Sequence, residues 1–284
     1  MRGSRGFSTM PLVVKNLIII NALFFLARYT FGSIASTDLN DTLGLYYFKS
    51  PEFNPWQLVS YMFMHGGMSH LFFNMFALWM FGSQIENIWG PKRFLNYYLI
   101  TGFGAAFLHY LIIHFQVIGL ESLFTSEQIN NLIYEGKFDS MSPLFNDARQ
   151  LYSLYNTPVV GASGSVFGLL LAYGMSFPNK ALGVYKVFLV LILMNFVLSI
   201  NINYLLVFII LNFLSQINPT IRYYVFSTIQ IKAKHLVILY GLLEFFVGVQ
   251  FSAGDNIAHF AHLGGMLFGF ILIKYWKKND LNFF

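Results

Sequence analysis

Gly161-Ala-Ser-Gly-Ser-Val-Phe-Gly168 sets one hydroxyl, that of Ser163, among small residues at the head of an apolar run. The run continues through Leu169, Leu170, Leu171, Ala172 and Tyr173 to Phe177-Pro178. A serine at the mouth of an apolar helix reads, by itself, as a helix-packing residue. A second stretch, Ala261-His-Leu-Gly-Gly265, changes that reading, because a histidine opens another apolar run 99 residues after Ser163. A serine nucleophile needs a base within hydrogen-bond reach, and a membrane interior offers few.

The composition fits a membrane setting. Of 284 residues, 56% are hydrophobic and only 10% charged, where soluble domains carry about 25% charged residues. Mean hydropathy is +0.59. Long apolar runs recur along the chain, as in a multi-pass bundle forming a single packing unit over residues 1–284. The absence of cysteine excludes disulfides and thiolate–metal sites. A net charge of +5 would suit nucleic acid, but the cations sit in loops between apolar runs. They therefore read as topology signals, with no nucleic-acid partner expected. Lys15 and Arg28 interrupt the first run and no small-residue cleavage site closes it, so it reads as a retained span.

Six spans are expected, at about 12–29, 68–84, 94–115, 161–177, 235–249 and 257–276. Between the first two lies a polar, aromatic-rich connection suited to the interface. Residues 116–158 read as a polar loop insert with at most one amphipathic helix. Residues 184–228 form an apolar insert between the fourth and fifth spans. With the N-terminus inside, only Arg28, Lys49, Lys137 and Arg149 of the 17 Lys and Arg fall outside, a strong positive-inside bias. That orientation requires an even number of crossings between Lys180 and Lys232. It also brings Ser163 and His262 to similar depth near the outer face. Gly164 and Gly168 are four apart, as are Gly265 and Gly269, and each pair makes a small-residue face that permits close helix approach.

Gly161-x-Ser163-Gly164 with Ala261-His262-x-x-Gly265-x-x-x-Gly269 resembles the rhomboid family of intramembrane serine proteases. His65, His70 and Asn74 reproduce that family's His-x-x-x-x-His-x-x-x-Asn pattern, and Gly82-x-x-x-Glu86-x-x-x-Gly90 resembles the segment that follows. The likeness covers about residues 12–115, 159–180 and 230–276. It implies an all-α fold, a rhomboid-like six-helix transmembrane bundle carrying the extra apolar insert. It also implies a Ser–His dyad without an aspartate, with Ser163 as nucleophile and His262 as general base and acid. His70 and Asn74, four apart on one helix face, would support the oxyanion with the serine N–H, and Phe167 would stack on His262. Gly161, Gly164, Gly168, Gly265 and Gly269 would serve helix packing. Single-pass membrane proteins would be the substrates, cut near the outer interface of the bilayer. No cofactor or metal is implied, and a bacterial plasma membrane with a cytoplasmic N-terminus is the expected location.

Blander roles stand beside these. Asn74 could join helices, His65 could brace the outer loop, His259 could anchor a loop, and Ser165 lies off the reactive face. Glu86, near the inner end, could bond a neighbouring helix. The competing function is a non-catalytic rhomboid-like binder of membrane clients, although such relatives typically lack the serine or the histidine. A proton-coupled transporter leaves Gly-x-Ser-Gly unexplained, and no His-Glu-x-x-His motif marks a zinc peptidase.

Overall fold

A computed structural model describes residues 10–35, 38–137, 139–185, 228–250 and 256–279, with single positions at 214, 218, 220 and 223. Two compact units divide the chain. Met1–Ser176 with Leu239–Phe284 forms the first, and Phe177–Ile238 the second.

Helix α1, Leu12–Ala35, begins just after Pro11. Its first orphan amides find a carboxylate from another helix: Val13 N and Val14 N donate to Glu86 at 3.0 and 2.8 Å. That is an N-terminal cap supplied in trans, with the charge at the favourable end of the dipole. Short helices α2, Leu39–Leu43, and α3, Gln57–Ser60, lie in the connection that follows.

The second expected span is a helical path in three pieces. These are α4, Met68–Ala77, a wide π-helical turn at Leu78–Gly82, and α5, Ser83–Trp89. Gly90 stops it at φ 78°, a left-handed conformation that glycine adopts without strain, and Pro91 opens α6 with its φ already helical. Helix α6 runs to Glu121, 31 residues, or about 46 Å. Nothing in Gln116–Glu121 breaks a helix, so α6 continues past the expected end at 115. Among the described residues, two helices are long and apolar enough to cross a membrane, Leu12–Gly32 and Pro91–Glu121.

The insert expected to be a loop holds two helices. Helix α7, Ser126–Glu135, starts on a capping box formed by Thr125 and Gln128. Helix α8 is Phe145–Asn156. Leu132, Ile133, Leu151, Leu154 and Tyr155 on these helices pack with Tyr47, Ile113, Val117 and Leu120 into one buried cluster. The insert is thus a small helical cap seated on the far end of α6.

Helix α9 is Ser163–Ser176, and α11 is Asn256–Asn279. Both lie against α6. Tyr97 Oη donates to Gly168 O at 2.8 Å and Ser165 Oγ to Tyr98 O at 2.7 Å, which pins α9 to α6. The two glycine faces meet each other at one level. A Cβ on Gly265 would strike the carbonyl of Gly164, so α9 and α11 touch backbone to backbone at that level. A Cβ on Gly164 would strike Ala105, one on Gly168 would lie 2.7 Å from Thr101, and one on Gly269 would strike Tyr97 Oη. Three of the four glycines therefore make room for α6. The common partner α6 and the backbone contact of Gly164 with Gly265 together bring α9 and α11 close.

In the second unit the all-helical expectation gives way to an antiparallel ladder of β1, Ala181–Tyr185, and β2, Thr228–Lys232. Ala181 stands opposite Lys232 and Tyr185 opposite Thr228. Thr228-Ile-Gln-Ile-Lys232 alternates polar and β-branched residues, a strand pattern. Most of the 184–228 insert lies outside the described residues. Ala233 N donates to Lys180 O at 2.9 Å, where helix α10, Ala233–Gln250, begins.

Candidate active site

The segment entering α9 is tied down on both sides. Leu45 and Val159 exchange backbone bonds of 2.8 and 2.9 Å, and Gly161 N donates to Tyr61 O at 2.9 Å. Tyr61 Oη in turn donates to Gly102 O on α6 at 2.8 Å. Ser163 therefore enters the first turn of α9 at a fixed height, beside the positive end of the helix dipole.

His262 sits on α11 with its Nε2 2.8 Å from Ser163 Oγ. The Phe167 ring, one turn along α9 from Ser163, lies parallel to the imidazole at 4.2 Å and 9°. It fixes the ring plane. The far nitrogen, Nδ1, lies 2.9 Å from Oε2 of Glu244 on α10. Glu244 is absent from the expected site. His259 Nδ1 approaches the same oxygen at 2.6 Å, so two imidazoles one turn apart share one carboxylate. These three side chains are of types that bind metals, and their ligand atoms lie within 4.8 Å of one another. Their contacts as they stand are two short charge-assisted hydrogen bonds.

Gly161, expected among the packing glycines, does something else. It precedes the helix at φ 132°, where side-chain-bearing residues are strained. A Cβ there would lie 2.9 Å from His70 Nε2 and 3.6 Å from Ser163 Oγ. The missing side chain thus leaves a spot open between the hydroxyl and the His70 ring. Gly66 N donates to His70 Nδ1 at 3.4 Å, a long bond, which leaves Nε2 as the proton-bearing nitrogen of a neutral ring facing that spot. Asn74 is buried on the same helix, and its amide donates to His70 O at 3.1 Å. One amide hydrogen remains for another acceptor.

His65 is wholly buried, its ring edge-on to His70 at 5.0 Å. Burial, helped by the nearby His70, pushes its pKa down to about 4, so it stays neutral at ordinary pH. The loop carrying it is held by Arg28. Its guanidinium grips Asp38 through two 2.7 Å bonds and donates to His65 O and Gly66 O at 3.0 Å. The bond to Arg28 holds the Asp38 carboxyl below its usual pKa. His114 lies outside the site, its Nδ1 2.8 Å from Tyr47 Oη.

The signal for Glu244 was present in the sequence. It is the only Asp or Glu within the six expected spans, and a carboxylate at such a position needs a partner. His259 and His262, three apart and on one helix face, were the partners to look for.

Residues 52–126 match the Rhomboid domain family. The chain is 32% identical over 132 residues to RHOMBOID-like protein 6, mitochondrial, of Arabidopsis thaliana, covering 43% of each chain. It is 43% identical over 47 residues to Rhomboid protease GluP of Bacillus subtilis, covering 16% of this chain and 9% of that one. RHOMBOID-like protein 4 of Arabidopsis thaliana is 40% identical over 58 residues, covering 20% of this chain and 15% of that one.

The chain belongs to the rhomboid family. As a rhomboid protein it is a membrane protein. The domain match holds His65, His70, Asn74 and Glu86 and ends before Ser163. The matches span less than half the length of these relatives. The relatives come from a plant, one of them named as mitochondrial, and from a bacterium, so they do not favour the bacterial plasma membrane over an organellar one.

Proposed function

We propose that this rhomboid protein is an intramembrane serine endopeptidase with Ser163 as nucleophile and His262 as general base and acid. The single observation that carries the reading is the 2.8 Å contact between Ser163 Oγ and His262 Nε2. Oγ attacks the scissile carbonyl carbon while its proton passes to Nε2. The oxyanion forms in the opening beside Gly161, with His70 Nε2–H, the Ser163 N–H and the second Asn74 N–H as donors. Such donors in a water-poor site contribute about 3–4 kcal/mol each. The C–N bond then breaks and His262 returns the proton to the leaving amine. Water attacks the resulting ester, its proton goes to His262, and Ser163 is regenerated.

The substrates are segments of single-pass membrane proteins in the bilayer. Their scissile amides are hidden in helical hydrogen bonds, so local unwinding at small or helix-breaking residues precedes cleavage. The chain crosses six times in its core, with the N-terminus cytoplasmic and the site near the outer interface. The pairing of Ala181 with Lys232 supports an even number of crossings between them. Ser163→Ala is expected to abolish cleavage of a reporter membrane substrate and labelling by a fluorophosphonate probe, while insertion persists. Cleavage by the purified variant would refute the nucleophile. Stable capture of the reporter by wild-type protein, without cleavage or labelling, would favour the client-binding reading.

A further inference from the structure

We propose that Glu244 is a positioning residue for His262, making the catalytic unit a Ser163–His262–Glu244 relay of contacts and not a serine–histidine pair. The inference rests on the endopeptidase reading above and deepens it. Three observations carry it. The carboxylate of Glu244 lies 2.9 Å from the ring nitrogen of His262 that faces away from Ser163. Its side chain is 13% exposed and that of His262 16%, so water competes little for the bond. And Glu244 stands alone among the acidic residues as a carboxylate inside an apolar span.

The chemistry follows from what a carboxylate can do. Ionised, it accepts hydrogen bonds and donates none. His262 must therefore carry its proton on Nδ1, which leaves the Nε2 lone pair free for the Ser163 hydroxyl. Without that partner the proton is free to sit on Nε2, where the imidazole cannot act as a base. The negative charge also stabilises the imidazolium that forms as Oγ attacks, an interaction strongest in the transition state. Phe167 sets the plane of the ring and Glu244 sets its rotation within that plane. His259 donates to the same oxygen at 2.6 Å and holds the carboxylate in turn, so Glu244 is fixed before any substrate arrives.

The test uses the full chain in detergent or liposomes, with Ser163→Ala, Glu244→Gln and Glu244→Asp. Glutamine keeps the size and offers an amide N–H₂ toward Nδ1, which favours the wrong tautomer. The comparable amide replacement in a serine protease triad costs about 10⁴-fold in kcat. Glu244→Gln should lose about 10²- to 10⁴-fold in kcat with KM nearly unchanged. Glu244→Asp, with a shorter carboxylate, should recover part of that loss. A readout independent of activity is side-chain ¹⁵N NMR of the histidines: His262 should be the Nδ1–H tautomer in wild type and shift toward Nε2–H in Glu244→Gln.

Wild-type kcat in Glu244→Gln would overturn the inference. So would an unchanged His262 tautomer, an aspartate variant no better than glutamine, or wild-type cleavage that chelation abolishes and zinc restores. If wild type and Ser163→Ala are equally inert while the tautomer still depends on Glu244, the endopeptidase reading fails and the positioning role stands.

Discussion

Replacing Gly265 with alanine tests the physical core of the site, because one methyl group is aimed at the seam that holds Ser163 to His262. The Cβ would overlap the Gly164 carbonyl oxygen, one residue after Ser163. A carbon and a carbonyl oxygen rest in contact at about 3.3–3.6 Å, so α9 and α11 would have to part by roughly 1 Å or more. Backbone stands on one side of this contact and backbone-attached carbon on the other, so no side chain can rotate away. Overpacking of this kind costs about 1–3 kcal/mol, and the 2.8 Å bond between Ser163 and His262 would stretch past the limit of a useful hydrogen bond. A misplacement of about 1 Å can cost about 10²-fold in rate. The matched control is Gly119→Ala on α6, where a Cβ meets no atom within 4 Å. There alanine should stabilise the helix by up to about 1 kcal/mol and leave the site alone. Reporter cleavage, fluorophosphonate labelling rate and the thermal midpoint in detergent would be measured for both. Gly265→Ala labelling at the wild-type rate with an unchanged midpoint would refute the close-contact argument.

Gly161→Ala should insert and fold at a cost of about 1–3 kcal/mol in backbone strain, yet lose cleavage by about 10²-fold or more, because its methyl fills the opening before His70 Nε2; single-turnover kinetics would reveal an unimpaired rate if the oxyanion forms elsewhere. His65 predicts a pH dependence of stability. Its folded pKa of about 4 lies below the ordinary 6.5, so the unfolded chain binds the extra proton between these values. The stability is present in full above pH 6.5 and is lost as pH falls toward 4, by at most about 3 kcal/mol. Thermal midpoints of wild type and His65→Asn over that window should diverge at high pH and converge at low pH; parallel curves would count against it.

The parts of the fold that could be read from the chain were those with strong local signals. Apolar runs bounded by Pro11, Gly90-Pro91 and Pro178 give α1, the path from α4 to α5, α6 and α9 with ends shifted by a few residues. The helices of the 116–158 insert were harder to see because half of each surface is polar. Their stability comes from Leu132, Leu151 and Tyr155 packing on α6, a contact that local periodicity does not contain. The capping box at Thr125 was nonetheless written in the sequence, as was the alternation in Thr228–Lys232.

At the site, the residues with a fixed spacing in one helix were legible, and those joined across helices were not. His70 and Asn74 share a face by arithmetic. Which glycine meets which helix depends instead on where α6 runs, so the two Gly-x-x-x-Gly pairs meet each other only where Gly265 touches Gly164, while Gly164, Gly168 and Gly269 also make room for α6. Glu244 is the sharper case. Its span, 235–249, could be recognised from hydropathy alone, and hydropathy treats one carboxylate as a small penalty in an apolar average. Energetically the carboxylate weighs far more. An ionised carboxylate in an apolar span is costly enough that the fold must supply donors to it, and within 20 residues the chain offers two histidines on one helix face. The donors that a buried charge requires thus join Glu244 to His259 and His262 from the sequence alone.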